Sequence, residues 1–541
     1  MSNSLSGNIV DVVNQKIFPG TIKIKEKKIF DIAKDKNNYK NYIIPGLVDS
    51  HVHIESSMLT PSEFARIAVT HGTIAIVTDP HEIANVLGIE GVYYMLNNAE
   101  KVSFKFCFGA PSCVPASIFE TSGRKLGKNS IEELLKNPKI GFLAELMNYP
   151  DVINDDLEVI AKINIAKKFL KPIDGHAPGL TGKELDKYIS AGISTDHECF
   201  TISEAQEKIK KGMKILIREG SAARNFDELY PLLEKNWESC MLCSDDKHPD
   251  DLLKGHMNLL VKKAIKNGID PIKVLSSASL NPKKHYNLEI GLLQPGDYAD
   301  FIVVDDLDNF NVLKTYINGT EVANKGNCLI QRIKPEIKNN FNISPKKPID
   351  FAIKAENGKI NVIEAIEGQL ITNKIRKEPL ISNGNVVSNV DENILKITVI
   401  NRYKESKPSI GFIKNFGLKE GAIASSVAHD SHNIIAVGVN DDDICNAVNM
   451  IIKNKGGISA VKKGEKNILP LPIAGIISNR EYEWVAKKYI DMNQTVKNLG
   501  CNLESPYMTL SFMALPVIPK LKLTDKGLFD SQNFKFIGLF E

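Results

Sequence analysis

Between Leu47 and Asp246 a short apolar run returns about every 25–35 residues, and a helical pattern follows each one. The runs are LVDSHVH (47–53), TIAIVTDP (73–80), FKFCFGA (104–110), IGFLAEL (140–146), KPIDGHA (171–177), GISTDHE (192–198), MKILIREG (213–220) and CMLCSDD (240–246). Near-continuous apolarity marks strands buried on both faces, and strand–helix alternation marks a parallel sheet. Eight such units predict an α/β fold built on a (β/α)8 TIM-type barrel, for which roughly 250 residues is typical. Helix boundaries agree. Thr60-Pro-Ser-Glu63 reads as a capping box whose helix stops near Gly72, and Thr181-Gly-Lys-Glu184 as another that ends near Gly192.

The flanks have a different texture. Residues 1–44 are short β-rich pieces such as GTIKIKEKKIF, and β texture returns after Pro282 in IGLLQPGDYADFIVVDDL and YINGTEVANKG. The expected organisation is a composite β-sandwich domain from 1–44 and 286–345, a catalytic barrel over 45–285, and a C-terminal α/β domain over 346–541. A basic, proline-bearing stretch at 333–347 reads as the linker to that last domain, where ILKITVI and HNIIAVGV read as strands and DDDICNAVNMIIKN as a helix.

Charge excludes some functions. With 68 basic and 65 acidic residues the net charge is +3, which gives no electrostatic case for nucleic acid or a membrane surface. No apolar run approaches the ~20 residues of a membrane span. The first residues, MSNSLSGNIV, lack a basic region followed by an apolar core, and the eight cysteines are scattered, so a cytoplasmic protein with reduced thiols is expected. Cys240 and Cys243 are expected on opposite faces of one strand rather than as a zinc or redox pair.

In a barrel of this kind, reactive groups sit where strands end. Those ends carry His51 and His53 on the first strand, and Asp79, His81 and Glu82 just after the second. Glu145 closes the fourth, His176 the fifth, His197 the sixth, and Asp245 with Asp246 the eighth. Five of only eleven histidines thus fall at strand ends. Residues i and i+2 of a strand point the same way, so His51 and His53 aim at one spot. Glu145 lies among Phe142, Leu143 and Leu146, where a carboxylate is costly to bury unless it is paired or binds metal. Together these groups point to a site for divalent metal, with a bridging anion and several neutral imidazoles.

PGLVDSHVHIE, DGHAPG, the SDD at the last barrel strand and LLQPGDYADFIVVD resemble the amidohydrolase superfamily of metal-dependent hydrolases. HVHIESSMLTP, TDPHEIANVLG, LAELMNYP, DGHAPGLTGKELDKYI, IREGSAARN and CSDDKHPDDLLKGHMN together are similar to its adenine deaminase family. The resemblance implies hydrolysis of adenine to hypoxanthine and ammonia, as in purine salvage, at two divalent ions, Mn2+ or Fe2+. It implies His51 and His53 as ligands of one metal, His176 and His197 of the second, Glu145 as the bridging carboxylate, and Asp245 as strand-eight ligand and base. Many superfamily members bridge with a carboxylated lysine; LAEL offers Glu145 and no lysine, which favours the adenine deaminase branch.

The implied chemistry needs a water activated at C6 of the purine and a proton for the adjacent ring nitrogen. Asp245 is the expected base. Glu82 is the expected donor, carrying a proton when substrate binds, with Asp79 and His81 orienting it or the water; the alternative is that DPHE only starts a helix. Arg218 and Ser221, after the seventh strand, are expected at the purine edge together with Glu82, and pairing of Arg218 to a structural acid is the equal alternative. Asp246 is expected to steady a ligand, and His248 and His256 to be structural. Ala428-His-Asp-Ser-His432 reads as a turn or a domain contact, with a lid over the barrel mouth as the second reading. The expected partner is a small purine, with self-association left open. The competing readings are another amidohydrolase acting on a cyclic amide or a different aminated base, and a metal-silent scaffold relative.

Overall fold

The computed structural model describes residues 3–221 and 223–541. The chain forms two compact units: Met1–Pro80 with Val92–Cys113 and Leu126–Lys334, and His81–Gly91 with Val114–Lys125 and Pro335–Glu541.

In the first unit the eight expected runs all become strands. Leu47–Val52, Thr73–Thr78, Lys105–Ala110, Ile140–Leu146 and Ile173–Gly175 form one parallel sheet, and Thr195–Asp196, Lys214–Arg218 and Cys240–Cys243 a second. The sheets meet end to end: the Ser194 amide donates to the Ile173 carbonyl at 2.9 Å, and the Lys214 amide to Ser194 at 2.9 Å. At the other end the Asp245 amide donates to the His51 carbonyl at 2.9 Å, beside a parallel bridge between Val52 and Asp245. Every residue of the first two strands is buried, which is why they read as unbroken apolar runs.

Alternation along the last strand separates the two cysteines. Met241 and Cys243 pack with Val77, Phe142 and Leu216, whereas Cys240 and Leu242 pack with Ile215, Ile217 and the helical Leu260 and Val261. All eight cysteines are free. The Thr60 hydroxyl accepts from the Glu63 amide to start the helix Pro61–Ala68, and Gly72 ends the following turn with φ of 81°. Thr181 stands at the N-cap of Gly182–Ser190 without a side-chain capping bond, so that cap is positional only.

Residues from both sides of the barrel run share one eight-stranded sheet, in the order Asn327–Cys328, Thr320–Asn324, Val312–Ile317, Phe301–Val304, Tyr42–Pro45, Asn3–Asp11, Lys16–Lys25, Lys28–Lys34. One face packs Ile9, Ile43, Phe301 and Val303 together, and the other turns Val10, Ile44, Ile302 and Val304 onto the core that backs the parallel strands.

The second unit is built on another eight-stranded sheet, Thr372–Lys377, Ile360–Ala365, Ser409–Lys414, Ile394–Ile400, Ile434–Gly438, Ala422–Ser425, Gly457–Lys462, Glu465–Pro470. Its neighbours run antiparallel except Ile360–Ala365 beside Ser409–Lys414. Asn440 caps the helix Asp441–Asn454, accepting from the Asp443 amide at 2.8 Å, and Ile444, Ala447, Val448 and Ile451 seat it on Ala422, Ala424, Ile434 and Ala436. Among the described residues no helix is long and apolar enough to cross a membrane.

Candidate metal centre

The strand ends of the first unit converge on Glu145, which leaves Ile140–Leu146 one residue before its end. Its Oε1 lies 3.2 Å from Nε2 of His53 and 3.9 Å from Nε2 of His51. Its Oε2 lies 2.7 Å from Nδ1 of His176 and 3.3 Å from Nε2 of His197. Asp245 closes the group, with Oδ1 3.6 Å from His51 Nε2 and 3.3 Å from His53 Nε2. The His51 and His197 rings stack with centroids 4.1 Å apart. All these side chains are buried except His176, which is partly exposed. Asp245 turns into the cluster from a left-handed backbone, φ 55°, a conformation aspartate tolerates better than most residues.

Charge is balanced inside the cluster. Burial pushes the Glu145 carboxyl up, but His176, His197 and His53 outweigh it and hold the group well below the usual range. Burial likewise raises Asp245, and the Arg218 charge with the neighbouring His51 and His53 imidazoles overcomes it. Burial lowers His53 and His197, but their carboxylate partners lift His53 well above its ordinary value and His197 to about 9. His51 goes the other way, lowered by burial and by the neighbouring His197.

The residues fit divalent metal. Nε2 of His51 is buried and has no hydrogen-bond partner among the described residues, though it points between two carboxylates. A buried polar nitrogen left so is costly unless something else binds its lone pair. The Asp79 carbonyl sits 3.1 Å from Nδ1 of His53. A carbonyl only accepts, so Nδ1 carries a hydrogen and Nε2, which faces the carboxylates, is the nitrogen available to a metal. Sets whose ligand atoms lie within 4.8 Å of one another include His51, His53 and Asp245; His51, Glu145 and His197; and His176, His197 and Glu198.

A second layer holds these groups. Arg218 meets Glu198 with both terminal nitrogens, Nη2 to Oε2 at 2.8 Å, and reaches Asp245 Oδ2 through Nη1 at 2.5 Å. Its fork therefore faces two carboxylates, the alternative set beside a purine contact. Glu198, next to His197, is a member of the centre that inspection of the sequence did not single out. Ser221 donates to Asp251 at 2.7 Å and accepts from the His248 amide at 2.9 Å, bracing its loop. Asp246 accepts from Ser56 at 2.5 Å. His256 bonds Asp49 through Nε2 and Thr73 through Nδ1, both at 2.8 Å, and Asp49 in turn accepts from the Ser244 amide at 3.0 Å. That chain fixes the turn that presents Asp245.

Lys208 and Asp196 were also missed. Lys208 is fully buried and donates to Asp196 at 2.6 Å, Glu204 at 2.6 Å and the Ala177 carbonyl at 2.7 Å, while Asp196 accepts from the Ala177 amide at 3.0 Å. The network clasps the segments bearing His176 and His197. Lys208→Met leaves two buried carboxylates without their cation, and we expect a loss of roughly 3–5 kcal/mol in denaturant unfolding. Burial raises Asp196, but Lys208 and His197 depress it to about 2. A depressed carboxyl stabilises the fold above its unfolded value near ~3.9, and that stability is lost as pH falls toward the folded value. Acid unfolding below about pH 4 should therefore flatten in Lys208→Met.

Asp79 follows the second strand in the first unit; His81 and Glu82 open the helix His81–Leu87, which belongs to the second. Glu82 is buried there between His429 and His432, with Nε2 of His81 3.5 Å from Oε1. Burial raises its carboxyl, and these three imidazoles hold it well below the usual range.

An amidohydrolase family model matches residues 42–322, and a model of the adenine deaminase C-terminal domain matches residues 369–535. The chain is 53% identical to an adenine deaminase of Sulfurovum sp. (strain NBC37-1), a match covering 98% of this chain and 99% of that one. It is 51% identical to an adenine deaminase of Borreliella burgdorferi, over 98% of this chain and 99% of that one. An adenine deaminase of Salinibacter ruber is 48% identical over 100% of this chain and 99% of its own.

Proposed function

This chain belongs to the amidohydrolase family and, within it, to the adenine deaminases, and from that premise we propose how it hydrolyses adenine to hypoxanthine and ammonia. The observation that carries the proposal is the position of Glu145, with imidazoles on both oxygens and Asp245 beside the same rings. His51, His53 and Asp245 would hold one divalent ion, His176 and His197 a second, and Glu145 would lie between them; Mn2+ and Fe2+ are the ions we assign. Once bound, such a pair acidifies water and supplies the nucleophile.

The chain's own groups move the protons. Asp245, held by Arg218, takes one hydrogen of the attacking water and passes it to the departing amine. Glu82 takes the other and delivers it to the ring nitrogen beside C6, with Asp79 and His81 orienting that segment. Water then accounts for the new C6 oxygen, the ring N–H and the third hydrogen of ammonia. Arg218 we assign to Asp245 and Glu198, and Ser221 to the loop beside the purine.

We read the two parallel arcs as one (β/α)8 barrel over 45–285, supported by the hydrogen bonds at both seams. Residues 1–44 with 286–345 form a composite β domain and 346–541 a third domain in this reading, and free cysteines favour work in the cytoplasm.

Ammonia release from metal-loaded protein tests the substrate. A pocket closed around a free base rejects ribose, so adenine should turn over and adenosine should not. Adenosine hydrolysed as fast as adenine, or a preference for cytosine, would assign the chain a different substrate.

A further inference from the structure

The segment 428–433 is wholly buried and carries two histidines. Within the second unit both meet Glu82. Nδ1 of His429 bonds Oε1, and Nε2 of His432 bonds Oε2. Each contact sets a ring nitrogen against a carboxylate oxygen, a pairing in which the ring can donate. For His432 the backbone fixes this independently. The Ala428 amide donates to its Nδ1 at 3.3 Å, so that nitrogen carries the lone pair and the hydrogen sits on Nε2, facing Glu82.

Both rings are held from behind. His429 stacks on Phe512 with centroids 4.4 Å apart and planes 14° from parallel, and its amide donates to Ser511 at 3.0 Å. The His432 amide donates to the Ala428 carbonyl at 2.7 Å, and the Tyr403 hydroxyl to Ser431 at 2.5 Å. Metal binding by Nε2 of His432 would put a hydrogen on Nδ1, against the Ala428 N–H, so His432 is set to donate to Glu82. A carboxylate has about four acceptor positions, and this clamp of two histidines uses two, leaving both oxygens able to take a proton.

We propose that His429 and His432 are positioning residues that orient Glu82 for proton transfer, so that a segment of the C-terminal region is required for turnover. This rests on the reading of Glu82 as the proton carrier to the purine ring.

The test exploits which ring nitrogen is used. The amide of asparagine stands about where Nδ1 of histidine stood, and that of glutamine reaches about where Nε2 stood. We expect His432→Asn to lower kcat by ~10²-fold or more, the lower range for a positioned acid–base group, with KM and metal content little changed. His432→Gln should recover most of that loss, and at 429 the order should reverse, with Asn the better replacement. In a Glu82→Gln background, itself slow, neither substitution should cost much more. Equal rates for Asn and Gln at both positions, or additive losses in the double variants, would overturn the proposal. So would departure of a metal ion from His432→Gln, which would make the cluster a ligand set. If Glu82→Gln alone turned over normally, the reading of Glu82 would fail, and the clamp with it; if only the histidine variants behaved as wild type, Glu82 would stand and the clamp would fall.

Discussion

Glu145→Gln should strip metal from at least one site and abolish nearly all activity. The substitution keeps the volume of the side chain and removes the anion that faces His53, His176 and His197. Two dications held close together need a negative group between them, and a neutral amide cannot supply it. The amide also presents hydrogens to an imidazole nitrogen that now meets oxygen. Metal analysis and ammonia release, measured on one preparation, check both halves. Retention of both ions with normal rates would reduce Glu145 to a structural carboxylate.

The second large effect is expected at Asp245. Asp245→Asn preserves shape but withdraws the proton carrier, and a rate loss of ~10²–10⁴-fold follows from the usual worth of a positioned acid–base group. Arg218 would keep its double contact with Glu198, so the loop should stay folded. Because the loss falls on proton transfer, kcat should drop more than KM rises. An unchanged kcat would remove Asp245 from the proton path.

The sequence exposed those parts whose signal is local. Buried parallel strands are apolar along their whole length, so all eight stood out, and His51, His53, Glu145, His176, His197 and Asp245 were visible as polar residues at their ends. The helix Asp441–Asn454 was marked by three aspartates in its first turn and apolar residues at helical spacing. Strand direction was not visible in the C-terminal region. Ile434–Gly438 has every residue buried, which reads the same whether its neighbours are parallel or antiparallel. Partners distant in the chain were hidden for another reason. Glu198 was in view beside His197, but its bond to Arg218 depends on which strands become neighbours. His429 lies 347 residues from Glu82, and no spacing rule links a carboxylate to an imidazole across that distance. Such pairs exist only once the chain has folded.

The most direct test of the account is metal content set against activity. Protein purified without chelator should carry up to two divalent transition ions per chain, lose adenine hydrolysis when they are removed, and regain it when they are restored. A fully active preparation with no bound metal would contradict the account.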